Sequence, residues 1–204
     1  MTALPLPPTS RKARSTHDAL VTATRDVIRR TGALIPAEVA ETAQLSPATF
    51  YAYLSSKDTA LAAAFDLSLG EMLQRVAEKA NVEHLLEEGL EATVRAVVEE
   101  TAGAFRLDAR VFRLAVGRLG ESELLRAVYR HRETEALQLL ARFVRLGAAA
   151  GKIRGEPDPE TVARALLVAL QGLQNPLLHE EGERDEVVAL LSEMLTAMLR
   201  PASS

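Results

Sequence analysis

The side chains able to do chemistry in this sequence are few and scattered. Four histidines, His17, His84, His131 and His179, lie far apart, and none stands in a zinc-protease helix motif. His84 shares a helical stretch with Glu87 and Glu88, which a solvated charged face explains. There is no cysteine, which excludes disulfide frameworks, thiolate zinc sites and thiol nucleophiles. No glycine-rich phosphate loop and no nucleophile elbow occurs. These residues give no ground for an enzyme, a metal site or a cofactor. Phosphate chemistry remains. Arg11, Lys12 and Arg14 can reach phosphate or the minor groove of DNA, or form a solvated flexible end.

Charge distribution sharpens that choice. The 204 residues carry a formal charge of −4. Residues 1–60 hold seven Lys or Arg and five Asp or Glu, a net of +2. The rest holds 17 basic and 23 acidic residues, a net of −6. This asymmetry suits a small head that meets phosphate and a larger body that does not. No signal-peptide pattern opens the sequence, and no apolar run approaches the ~20 residues of a membrane span. A soluble, cytoplasmic protein without membrane partners is expected.

The elements that must position these groups are helical almost throughout. Strand-like alternation is absent, and aromatics make up only 4% of the chain. Before Ser10 the prolines predict disorder, and residues 1–14 are expected to form a flexible basic arm. A first helix is predicted over 16–31, capped by Ser15 and stopped by Gly32. Short helices follow at about 36–43 and 47–53, then a long one at 57–79, opened by Ser55. Further helices are predicted near 82–104, 108–119, 121–150, 158–178 and 183–199. Gly151 ends one of them, and Asp158-Pro159 opens the next.

A long helix followed by two short ones with a tight turn between them is the outline of a helix-turn-helix domain. Ser46 caps the third helix and Pro47 suits its first position. Ala40, Leu45 and Phe50 supply the small or apolar interior that a tight turn needs. The motif spans about 35–54 within a domain at 15–60.

The stretch Val39-Ala40-Glu41-Thr42-Ala43-Gln44-Leu45-Ser46-Pro47-Ala48-Thr49-Phe50-Tyr51-Ala52-Tyr53-Leu54-Ser55-Ser56-Lys57-Asp58 resembles the N-terminal domain of TetR-family transcriptional regulators. Its portion from Thr49 to Asp58 is the most specific part. The resemblance implies that Thr49 and Tyr51 touch DNA phosphates and that Lys57 holds another. It also implies that Pro47, Ala48, Thr49 and Tyr53 face base edges or the groove wall. Hydroxyl and ammonium donors suit phosphate, and small apolar groups suit the thymine methyl. Three positions depart from the pattern. Ile35-Pro36 stands where hydroxyl residues often open the second helix. Gln44 replaces the usual glycine of the turn, and Ala52 replaces a frequent basic residue.

For residues 61–204 the resemblance implies a helical domain that binds a small ligand and forms a homodimer. Its last two helices would pair with their copies through Leu166, Ala169, Leu170, Gly172, Leu173, Val187, Leu191, Met194 and Met198. Both helices carry more apolar surface than one stripe requires. Such a dimer would set two reading helices ~34–36 Å apart over a pseudo-palindromic operator in double-stranded DNA. Gln171, Asn175, Arg113 and Tyr129 are candidate pocket groups, with Met72, Phe105 and Phe112 as walls. Asn175-Pro176 should disturb its helix. The expected architecture is all-α: a three-helix reading head and a helical ligand and dimerisation domain, about nine helices in all. The expected function is a DNA-binding regulator, a repressor released by an apolar ligand. The competing reading is a helical ligand- or protein-binding dimer with weak or no specific DNA binding.

Overall fold

A computed structural model describes residues 8–175 and 183–201. Among the described residues there are nine α-helices and no strand. They are α1 (Arg11–Thr31), α2 (Pro36–Thr42), α3 (Pro47–Leu54), α4 (Lys57–Lys79), α5 (Val82–Leu107), α6 (Ala109–Val116), α7 (Glu123–Ala149), α8 (Pro159–Gln171) and α9 (Glu183–Leu199). The chain forms two compact units. The first comprises Met1–Gly70 and Leu107–Arg132, the second Glu71–Arg106 and Glu133–Ser204.

Helix α1 starts five residues before its expected Thr16. Ser10 Oγ accepts from the Ala13 amide at 3.2 Å, so Ser10 is the cap and Ser15 lies inside the helix. Arg, Lys and Ala are strong helix formers, and nothing between the two serines interrupts them. Arg11, Lys12 and Arg14 therefore sit on the first turns of α1, exposed. They are not part of a flexible arm; residues 1–7 lie outside the described residues. The helix stops at Gly32, whose φ of 77° is left-handed and whose N–H reaches Ile28 O at 2.8 Å.

In the first unit the segment 107–132 packs with the head. Arg29 pairs with Asp108 at 2.5 Å, and Asp108 is almost fully buried. Arg110 donates to the carbonyls of Arg29 and Arg30, covering orphan acceptors in the last turn of α1. Phe65 of α4 meets Phe112 edge-on at 5.7 Å and stacks on Tyr129 at 6.3 Å. Asp66 receives two bonds from Arg132, at 2.7 and 2.9 Å. Gly70 leaves room for that guanidinium, since a Cβ there would lie 3.1 Å from Arg132 Nη2.

The second unit has its own apolar core. Helix α5 is broken at Gly89, with φ 84° and ψ 170°, a conformation that side chains with a Cβ disfavour. Thr93 Oγ1 donates to the Gly89 carbonyl at 2.8 Å where the helix restarts. Gly151, at φ 69°, ends α7 as expected. Ile153 then folds back on Gly147, where an added Cβ would stand 2.5 Å from Ile153 Cδ1. Asp158 caps α8 by accepting from the amides of Glu160 and Thr161, and Pro159 opens that helix. Helix α8 ends at Gln171, short of the predicted 178, and a 3₁₀ turn Gly172–Gln174 follows. Asn175 is extended at ψ 124°, as a residue before proline must be to clear its ring. Residues 176–178, with Pro176, and His179 lie outside the described residues.

Candidate nucleic-acid interface

The turn between α2 and α3 is closed by the backbone alone. The Gln44 N–H bonds Glu41 O at 2.9 Å, and the Leu45 N–H bonds Ala40 O at 2.8 Å. This paired arrangement requires a left-handed residue in the turn, and Gln44 adopts it at φ 57°. Glycine carries no penalty there, whereas glutamine does. Gln44→Gly is therefore expected to raise unfolding stability by about 0.5–1 kcal/mol, measured by urea denaturation. A loss of stability would show that the glutamine side chain is needed.

Helix α3 then starts at Pro47. Ser46 Oγ accepts from the Thr49 amide at 3.2 Å and bonds Thr49 Oγ1 at 2.9 Å. Phe50 and Leu54, one turn apart, are fully buried among Leu20, Val27, Val39 and Ala40. That anchorage turns Pro47, Ala48, Tyr51 and Ala52 outward, all exposed. Tyr51 is 52% exposed, with its ring edge-on to Phe50 at 5.1 Å. Tyr53, expected at the groove, is half-buried and packs against the head core. Thr49 is half-buried, and its hydroxyl already serves the Ser46 cap.

The α3–α4 junction places the cation. Ser55 is left-handed at φ 53°. Ser56, not Ser55, caps α4, with Ser56 Oγ accepting from the Thr59 amide at 3.1 Å. Lys57 is the first residue of α4 and is exposed. Its neighbour Asp58 pairs with Arg118 at 2.9 Å. At the other short helix, Ile35 precedes α2 with no side-chain cap, consistent with the missing hydroxyl.

The folded first unit is more basic than residues 1–60. Its two segments together hold 13 Lys or Arg and 9 Asp or Glu, a net of +4; the second unit holds 11 and 19, a net of −8. Leu107–Arg132 supplies six arginines against three acids. No local pattern announced that this segment belongs with the reading head, because the contacts that join it span some eighty residues, as Arg29–Asp108 does (|i−j| = 79).

The other candidate residues are dispersed. Phe112 and Tyr129 lie in the aromatic group around Phe65 in the first unit, and Arg113 is exposed there. Met72, Phe105, Gln171 and Asn175 belong to the second unit, where Gln171 donates to Glu133 Oε1 at 3.4 Å and Asn175 is exposed. The second unit contains a cavity of about 20 Å³, and none of the seven proposed pocket residues lines it. Its walls are apolar, including Val94, Val97, Val98, Leu140, Phe143 and Leu195. Sequence periodicity marks such residues as core and cannot distinguish a filled core from a hollow one. Of the expected dimer contacts, Leu166, Leu170 and Leu173 are buried within the chain itself, which removes them from an outer face. Ala169, Leu191 and Met198 are half-buried, and Gly172 is exposed. The outward apolar residues of α8 and α9 are Val168, Val187, Leu190 and Met194. Among the described residues no group of three His, Asp or Glu is placed to hold a metal, and no helix is long and apolar enough to cross a membrane.

No protein-family model and no curated protein matches the chain. Solved structures do. A TetR transcription regulator from Haloarcula marismortui is 20% identical, covers 91% of this chain and 99% of its own, and superposes with a TM-score of 0.75. A transcriptional regulator from Rhodococcus sp. Rha1 is 22% identical over 90% and 97%, with a TM-score of 0.67. The fatty acid degradation regulator FadR from Bacillus halodurans is 17% identical over 90% and 100%, with a TM-score of 0.67. The fold of this chain is that of TetR-family transcriptional regulators.

Proposed function

We propose that this chain is a TetR-type regulator that binds a pseudo-palindromic DNA operator as a homodimer and represses transcription. The observation that carries the reading is α3. Its inner face is locked by Phe50 and Leu54, so its outer face presents Pro47, Ala48 and Tyr51 on a unit with net charge +4. A small apolar face and a projecting hydroxyl suit a groove flanked by phosphates. Lys57 supplies a cation beside that face, and Arg11, Lys12 and Arg14 supply more from α1. The decisive experiment is selection of genomic fragments by the purified protein across a salt series. A regulator retains a preferred fragment while its affinity falls steeply with salt. If no fragment is preferred at low salt, the helical dimer without specific DNA binding takes its place.

Lys57→Ala tests the phosphate contact directly. It should weaken binding uniformly across sequences, without changing which fragment is preferred. With one Lys57 in each head, the slope of log affinity against log salt should fall by about 2, at roughly 0.9 per lost contact. An unchanged slope removes Lys57 from the interface.

The ligand in this reading is apolar, because a cavity with no polar wall offers nothing to a charged one. A volume of about 20 Å³ holds roughly one water-sized sphere. A ligand seated there enters by displacing the wall side chains. Helix α4 contributes residues 57–70 to the first unit and 71–79 to the second, so a shift of α4 alters the presentation of Lys57. A coupling of ~1–3 kcal/mol is enough for a switch. An apolar compound that raises the thermal midpoint but leaves operator affinity unchanged at saturation rules this mechanism out.

A further inference from the structure

We infer that Arg118, in the turn after α6, is a positioning residue for the phosphate site at Lys57, which it serves by neutralising Asp58. The inference rests on the DNA-binding reading above. Lys57 is followed directly by a carboxylate, and a negative charge so close opposes an approaching phosphate over a Debye length of about 8 Å at physiological salt. Arg118 Nη2 lies 2.9 Å from Asp58 Oδ1. The turn that carries Arg118 is itself well fixed. Its N–H bonds Ala115 O at 3.1 Å, and its carbonyl accepts from Glu121 and Ser122 at 3.1 and 2.9 Å. Arg126 adds bonds to the carbonyls of Leu119 and Gly120 at 2.7 and 3.1 Å.

The pair is poorly suited to a stabilising role. Its side chains are 39% and 43% exposed, and ion pairs that wet contribute little to folding. Its position gives it a different consequence. Other acids of the same unit, Asp26, Glu38, Asp66 and Asp108, also pair with arginines, but Asp58 is the one adjacent in sequence to the cation of the phosphate site. The distant segment thus restores the positive field of Lys57 rather than merely bracing the fold.

The test compares wild type, Arg118→Ala, Asp58→Asn, the double variant and Arg118→Lys on the selected operator fragment, by fluorescence anisotropy at several salt concentrations. Arg118→Ala should bind about three- to tenfold more weakly at low salt, and the deficit should shrink as salt rises. Asp58→Asn should bind as well as wild type or better. The double variant should stay within about twofold of Asp58→Asn, because no charge is left to neutralise. Arg118→Lys should recover most of the loss. Thermal midpoints should agree within about 2 °C, as for a weak surface pair. A purely structural pair predicts otherwise: Arg118→Ala and Asp58→Asn would then weaken binding alike. That result, an unchanged Arg118→Ala, or an equal loss in the Asp58→Asn background overturns the inference. If Lys57→Ala weakens binding while Arg118→Ala does not, this inference alone fails. If wild type selects no fragment, the DNA-binding reading fails and takes the inference with it.

Discussion

The double variant Leu190→Glu/Met194→Glu is expected to sediment as a folded monomer and to bind the operator about 100- to 10,000-fold more weakly than wild type. Leu190 and Met194 are 58% and 60% exposed and lie one helical turn apart on α9, on one face. Val187 on the same helix is 36% exposed, and Val168 of α8 is 69% exposed. Large apolar residues left exposed on α8 and α9 suit a surface that another molecule covers, and a second copy is the partner proposed here. Two carboxylates placed in such an apolar contact must be desolvated, so association becomes costly. The same residues lie outside the chain's own core, so helicity by circular dichroism should not change. Losing the dimer removes the second head, and with it the gain of a tethered second contact, commonly 10²–10⁴ in affinity. Sedimentation equilibrium gives the clean reading. If the double variant sediments as wild type does, this face is not the dimer seam.

Phe50→Ala should cost about 3–5 kcal/mol in urea denaturation and abolish operator binding. Phe50 has no exposed surface and is seated among Leu20, Val27, Val39 and Leu54. Its removal deletes the ring and leaves a void that a three-helix head cannot close. A whole domain is stable by only ~5–15 kcal/mol, so this one change takes a large share. Tyr51→Ala is the natural companion, because Tyr51 is the next residue but points outward. It should leave the denaturation midpoint nearly unchanged and still weaken DNA binding by losing its hydroxyl. Adjacent aromatic residues thereby separate the two roles of α3, one inside and one at the groove. A Phe50→Ala protein that loses under about 1 kcal/mol would falsify the assignment of Phe50 as the anchor of the head.

The helices that were most legible are those whose ends carry their own chemistry. Ser46-Pro47 starts α3 and Gly32 stops α1 where expected, because a cap or a left-handed stop acts within four residues. Helix α4 runs over 57–79 as predicted. Errors arose where two candidates competed locally. Ser10 prevailed over Ser15, and Ser56 over Ser55; in each case either hydroxyl could cap, and the choice depended on the backbone entering the helix. The overlong expectation for α8 underrated Asn175-Pro176, whose effect reaches back through the extended residue before proline. Tyr53, which the resemblance assigned to the groove, also packs against the head core, a contact that no local pattern announced.

The sequence by itself determined the helical class, most helix boundaries and the turn before α3, while its resemblance to a known family supplied Pro47, Ala48, Thr49, Tyr51, Tyr53 and Lys57 as candidate contacts. The class, boundaries and turn follow from hydrogen bonds and caps closed between residues a few positions apart, and from a 3.6-residue period that sorts inner from outer faces. The tertiary structure alone decided what keeps company with those candidates. It brought Leu107–Arg132 into the reading unit, raised that unit's charge to +4 and set Arg118 against Asp58. It also hid Leu166, Leu170 and Leu173 while exposing Val168, Leu190 and Met194. Contacts between residues far apart in the chain carry no local periodicity, so only the packed chain reveals them.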